Sequence, residues 1–117
     1  EEIAFRGFLW HWLAKVMPGW LVWLVTSLMF AAYHLDPVQS PSLLPTALFL
    51  GFLRWQSGSV APAIVGHFVN NGLACLAMLY VTDATAPEVT LTSAMLATLA
   101  TVLCCTAAWF AHPRTPS

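Results

Sequence analysis

Charge is what this sequence has least of. Only nine of its 117 residues are Lys, Arg, Asp or Glu, 8% of the chain, against about 25% in a soluble globular domain. So few charges cannot clothe a water-facing surface, and lipid is expected as the solvent for most of the chain. A net charge of −1 leaves no clustered basic surface for phosphates, which argues against nucleic acid as a partner. Cysteine is nearly as sparse. Cys75, Cys104 and Cys105 lie inside apolar runs with no C-x-x-C spacing, so they read as small hydrophobes rather than disulfides or zinc ligands. There is no internal repeat. There is also no initiator Met and no cleavable signal pattern, and the sequence opens in mid-helix on a charged motif. A fragment of a larger membrane domain, with further helices upstream, is the expectation.

What fills the chain is apolar. Hydrophobic residues make up 59%, with six Trp and seven Phe, and the mean hydropathy is +0.75. Breakers divide it into five segments. The first, Glu1 to about Met17, stops at Pro18-Gly19, and the second runs from Trp20 to about Tyr33 before the loop Asp36 to Pro41. The third starts near Ser42, read as its N-cap, and ends at Gln56 before Ser57-Gly58-Ser59. The fourth, Val60 to Val81, carries Pro62 in its first turn, where proline costs little. After a polar loop, Thr82 to Glu88, the fifth runs uncharged from Thr90 to Ala111, long enough to cross a hydrocarbon layer of ~30 Å. The first three are short for full spans and need tilt or shielding. The fold class is therefore all-α, a polytopic transmembrane helix bundle of about five helices. Residues 1–111 form its core and 112–117 a polar tail. If the helices alternate in direction, Lys15, Arg54 and Arg114 fall at one end, and Asp36, Asp83 and Glu88 at the other. The positive-inside rule then makes the first end cytoplasmic, the C-terminus with it.

Ionisable groups inside such helices are costly and by default mark function. Three of the nine charges, Glu1, Glu2 and Arg6, open the chain. Glu2 and Arg6 are four apart and share a helix face, where they can pair. Glu1 lies roughly 100° round the helix from Glu2 and faces elsewhere. Phe30 and His34 repeat the spacing on the second segment, and His67 and Asn71 on the fourth. At ~1.5 Å of rise per residue, Glu1, Arg6, His34, His67 and Asn71 lie roughly 24, 17, 21, 11 and 17 Å from the cytoplasmic ends of their segments. These levels overlap, so the groups can converge. A lone membrane His or Asn is as often interhelical glue, but three such pairs on three helices favour a site. His11, on the opposite side of its helix from Glu2 and between Trp10 and Trp12, reads as interfacial.

The motifs Glu1-Glu2-x-x-x-Arg6, Phe30-x-x-x-His34 and His67-x-x-x-Asn71, in that order, resemble those of the CPBP intramembrane proteases. That family includes CAAX prenyl endopeptidases, abortive-infection (Abi) proteins and bacteriocin-processing or immunity proteins. The run from Gly51 to Ile64 resembles the family's approach to its third motif, and the likeness covers residues 1 to about 75. It implies an endopeptidase acting on membrane-associated or lipidated, CAAX-like substrates. Glu1 is then the general base, because apolar surroundings make a carboxylate a stronger base toward water. His34 helps to hold and polarise that water, and His67 and Asn71 donate hydrogen bonds to the oxyanion. Glu2 and Arg6 pair to fix the helix, with Arg6 a second choice for touching substrate, and Phe30 packs beside the site. A metal version is the rival: Glu1, His34 and His67 are a ligand set that zinc accepts, though there is no H-E-x-x-H and the metal-free version is favoured. Implied partners are a hydrophobic or lipidated peptide and membrane lipid, in a bacterial cytoplasmic membrane. A catalytically silent binding or immunity protein of the same fold is the alternative, and a piece of a transporter ranks below both.

Overall fold

The computed structural model describes residues 1–35, 39–80 and 91–111, and among these the chain forms five helices and no strand. The first, α1, is not uniform: a π-helical run over Ile3–Leu9 passes directly into an α-helical turn, Trp10–Leu13. It is followed by α2 (Gly19–Tyr33), α3 (Gln39–Ser57), α4 (Ala61–Tyr80) and α5 (Leu91–Ala111). The expected breakers act as such. Pro18 sits in extended backbone at the head of α2, and its carbonyl accepts from Leu21 and Val22 N–H. Gly58 ends α3 at φ 67°, donating its N–H back to Arg54 O, a left-handed cap that glycine adopts without steric cost. Ser59 Oγ then accepts from Ala61 N–H and opens α4. Ser42 is not the N-cap expected of it. The third helix begins earlier, at Gln39, with Pro41 in its first turn and Pro45 inside it.

The third helix is the axis of the bundle, packed against α2, α4 and α5. Three side chains donate to consecutive carbonyls in its middle. Trp23 Nε1 reaches Leu48 O at 2.8 Å, Ser27 Oγ reaches Ala47 O at 3.1 Å, and Arg6 Nη2 reaches the same Ala47 O at 2.9 Å. The second helix lies so close to α3 that a Cβ added at Gly51 would stand 2.8 Å from both Ser27 Oγ and Trp23 Cδ1. Trp10, Val22, Trp23, Leu48, Phe52 and Cys105 form the apolar core, and Trp55 stacks on Trp23.

Many apolar side chains outside that core face outward. Ile3, Phe8, Val16, Phe68 and Leu103 are each more than half exposed, Phe68 at 79%. Yet among the described residues no helix is long and apolar enough to cross a membrane. The spans expected from the sequence are thus not seen among the described residues. At 15 residues α2 is only ~22 Å long. Pro45 lies inside α3 and Arg54 in its last turn. Lys15 and Arg54 do share one end of the bundle, since Gly19 at the head of α2 touches Trp55. Asp36, Asp83, Glu88, Arg114 and the tail 112–117 lie outside the described residues.

Candidate active site

The opening motif folds onto α4 through its second glutamate. Glu2 is 5% exposed and Arg6 not at all, and Arg6 Nη1 donates to Glu2 Oε1 at 2.9 Å. The same Oε1 lies 2.9 Å from His67 Nδ1. An ionised carboxylate only accepts, so the proton is assigned to Nδ1, and Nε2 becomes the outward nitrogen of His67. That nitrogen stands 3.9 Å from Glu1 Oε2, on a side chain 42% exposed. Both carboxylates of the motif therefore address one imidazole, Glu2 through Nδ1 and Glu1 across from Nε2. The guanidinium of Arg6 is fixed twice more, by Ala47 O and by the ring of Phe30, 4.3 Å below it.

Phe30 is the floor of the cluster. It is 2% exposed, and besides Arg6 it meets His67 edge-on at 5.7 Å, Phe5 at 5.6 Å and His34 at 5.2 Å between ring centroids. His34, just past the end of α2, has Nδ1 3.0 Å from Phe30 O. A carbonyl can only accept, so Nδ1 carries the proton and Nε2 is left free to accept one from water. Leu35, the next residue, turns the chain away at φ 52°.

Five of the seven residues expected at the site thus converge: Glu2, Arg6, Phe30, His34 and His67. Glu1 borders them on the exposed side. Asn71 does not join them. It is exposed, its Oδ1 accepts from Asn70 Nδ2 at 3.5 Å, and among the described residues no hydrogen bond links it to Glu1, Glu2 or His67. The zinc ligand set does not assemble either: no three His, Cys, Asp or Glu side chains among the described residues are placed to hold a metal ion. His11 is exposed. An open apolar groove of about 840 Å³ runs between α3 and α4, bordered by Leu50, Leu53, Gly66, Val69, Asn70 and Thr101.

Two buried side-chain atoms have no hydrogen-bond partner among the described residues, Glu2 Oε2 and Arg6 Nε, and both belong to this cluster. Unpaired buried polar groups are rare in folded proteins, and each needs an explanation. A family model described as "Type II CAAX prenyl endopeptidase Rce1-like" matches residues 1–73, more than half of the chain and every residue of the cluster. The chain belongs to this family. No curated protein and no solved structure matches it. Membership in the Rce1-like family makes the coarse activity that of a protease, and the matched segment ends just after Asn71.

Sequence reasoning missed one participant and half the role of another. Glu2 was expected to serve Arg6 alone, but it also orients His67. Arg54 carries no site role in the sequence reading, where it marks the positive end and falls within the run Gly51 to Ile64, yet its Nε donates to Arg6 O at 2.9 Å. The signal for Arg54 was present, since it is one of only four Lys and Arg residues in the chain. The π-helical backbone of α1 carries no sequence signal that period-counting reads.

Proposed function

We propose that the chain is an intramembrane endopeptidase that cleaves membrane-associated or lipidated, CAAX-like substrates with water activated by Glu1. The observation that carries this reading is the approach of Glu1 and Glu2 to the two nitrogens of His67. Water held between Glu1 and His34 Nε2 gives a proton to the Glu1 carboxylate as its oxygen attacks the scissile carbonyl carbon. The oxyanion that forms accepts from His67 Nε2 when the ring carries both protons, with Nδ1–H anchored on Glu2. Asn71, brought inward by a side-chain rotation, adds a second donor. Collapse of the intermediate breaks the C–N bond, and Glu1 returns its proton to the leaving amine. The hydrolysis so written consumes one water and needs no metal ion. The groove between α3 and α4 takes the apolar part of the substrate, since its walls are mostly apolar.

The membrane setting is part of the proposal. It is supported by the exposed Ile3, Phe8, Phe68 and Leu103 and by the shortage of charge. Short helices lie tilted there and shield one another, with the Lys15 and Arg54 end cytoplasmic in a bacterial membrane. The test is cleavage of prenylated and unprenylated hydrophobic peptides by the chain in detergent, read by mass spectrometry. Glu1→Gln is expected to lower the rate by about 10²–10⁴. Equal cleavage by wild type and Glu1→Gln would remove Glu1 from the base role. Absence of cleavage by folded wild type would favour the silent binding protein, and loss of activity to a chelator would restore the metal version.

A further inference from the structure

The carbonyl of Arg6 lies where α1 changes its hydrogen-bond spacing. Trp10 N–H engages Phe5 O, five residues back, and also Gly7 O. By Ala14, whose N–H donates to Trp10 O, the spacing is that of an α-helix. Passing from the wider to the narrower ladder leaves one carbonyl out. Arg6 O stands between the two carbonyls that Trp10 engages. Arg54 supplies the missing donor from α3: its Nε lies 2.9 Å from Arg6 O, and its guanidinium carbon lies 5.2 Å from the centroid of the Trp10 ring, at the first residue of the α-helical turn. No carboxylate competes for it, because among the described residues Arg54 makes no ion pair.

We infer that Arg54 is a positioning residue: through Nε–H on Arg6 O it holds the π-to-α junction of α1 and so sets the rotation of the Glu1-Glu2 pair against His67. If the ladder slipped by one residue to close the gap, the residues before the junction would turn by roughly 100° about the helix axis. Glu2 would then leave His67 Nδ1. The consequence for catalysis rests on the peptidase reading, while the consequence for His67 does not.

The experiment separates the hydrogen bond from the charge. Arg54→Gln places an amide nitrogen the same number of bonds from Cα as arginine Nε. Arg54→Met keeps the length and the apolar stem without a donor, and Arg54→Lys keeps the charge but carries its nitrogen one atom further out. With histidine ¹⁵N-labelled in the whole chain and His67 assigned by His67→Asn, the imidazole shifts report its tautomer. The Nδ1–H form is expected in wild type and Arg54→Gln, and a mixture with the Nε2–H form in Arg54→Met and Arg54→Lys. On a prenylated peptide, kcat is expected to fall at least about tenfold in the Met and Lys variants with KM within about twofold. Rescue by Gln and failure of Lys carry the inference. A Met variant with wild-type tautomer and kcat overturns it, as does a Gln variant as impaired as Met. If Met does not fold, Gln against Lys decides alone, and a Lys variant matching wild type overturns the inference. If wild type cleaves nothing while the tautomer shifts in Met or Lys but not in Gln, positioning stands and the peptidase reading falls.

Discussion

Removing the Glu2 carboxylate should unfold far more of the molecule than its size suggests. In Glu2→Ala, Arg6 loses its counter-charge while remaining fully enclosed, held by Ala47 O and packed on Phe30. Breaking a buried pair by deleting one partner costs about 3–5 kcal/mol, because the surviving charge has no water to return to. The same deletion strips His67 Nδ1 of its acceptor, worth about a further 1 kcal/mol. Glu2→Gln keeps an oxygen where Oε1 now stands and should cost less than Ala. The informative comparison is the double variant Glu2→Leu with Arg6→Met, which removes both charges and refills the space. Replacing a buried pair by apolar groups is often neutral, so the double variant should be more stable than Glu2→Ala. Denaturant titration in detergent, followed by tryptophan fluorescence, reads all of these. A Glu2→Ala cost below about 1 kcal/mol, the level of an exposed pair, would refute the sequestered-pair argument and with it the orientation of His67.

The remaining expectations are narrower. Gly51→Ala should lower the unfolding midpoint, because the new methyl meets Trp23 and Ser27, both held by hydrogen bonds to α3; a neutral result would mean that α2 and α3 are further apart. Phe30→Ala should cost about 3–5 kcal/mol as a core truncation. Phe30→Leu refills part of that volume without a ring face for Arg6, so what it still loses reports the cation–π share, about 0.5–2 kcal/mol. Glu1→Gln should leave the unfolding midpoint within about 0.5 kcal/mol of wild type, since Glu1 is 42% exposed and no closer than 3.9 Å to His67. A large loss of stability there would show that Glu1 is structural.

The sequence shows the helices well and the site in part, for identifiable reasons. Pro18, Ser57-Gly58-Ser59 and the polar loops are backbone chemistry, so α2 and α4 start within a residue of where the breakers put them. Ser42 misled because two prolines follow each other through the start of α3. Pro41 is tolerated in a first turn, where its missing N–H has no helical partner in any case. The pairing of Glu2 with Arg6 followed from spacing four, but that spacing could not say which carboxylate reaches α4. The answer lies in a long-range contact spanning 65 residues and in the π-helical winding of Ile3–Leu9. Asn71 shares a helix face with His67 by count, yet it stands a full turn on, where the bundle no longer covers it.

Why a motif should carry two glutamates in succession follows from that arrangement. Adjacent residues on a helix diverge by about 100°, so a single backbone position cannot serve both tasks. Glu2 Oε1 already accepts from Arg6 and His67, each at 2.9 Å. Those two contacts hold that oxygen in place between α1 and α4. Glu2 is also enclosed at 5% exposure, out of reach of an incoming peptide. Glu1 accepts no side-chain hydrogen bond among the described residues, keeps an open side, and faces the nitrogen of His67 that Glu2 leaves free. Charge completes the argument. Glu2 and Arg6 cancel each other, so the net charge of the motif resides on Glu1, at the mouth of the cluster. In the proposed mechanism the divergence lets Glu2 hold the geometry while Glu1 acts on water. Exchanging the two tasks would place the unpaired charge on the enclosed side chain and the paired one at the open side.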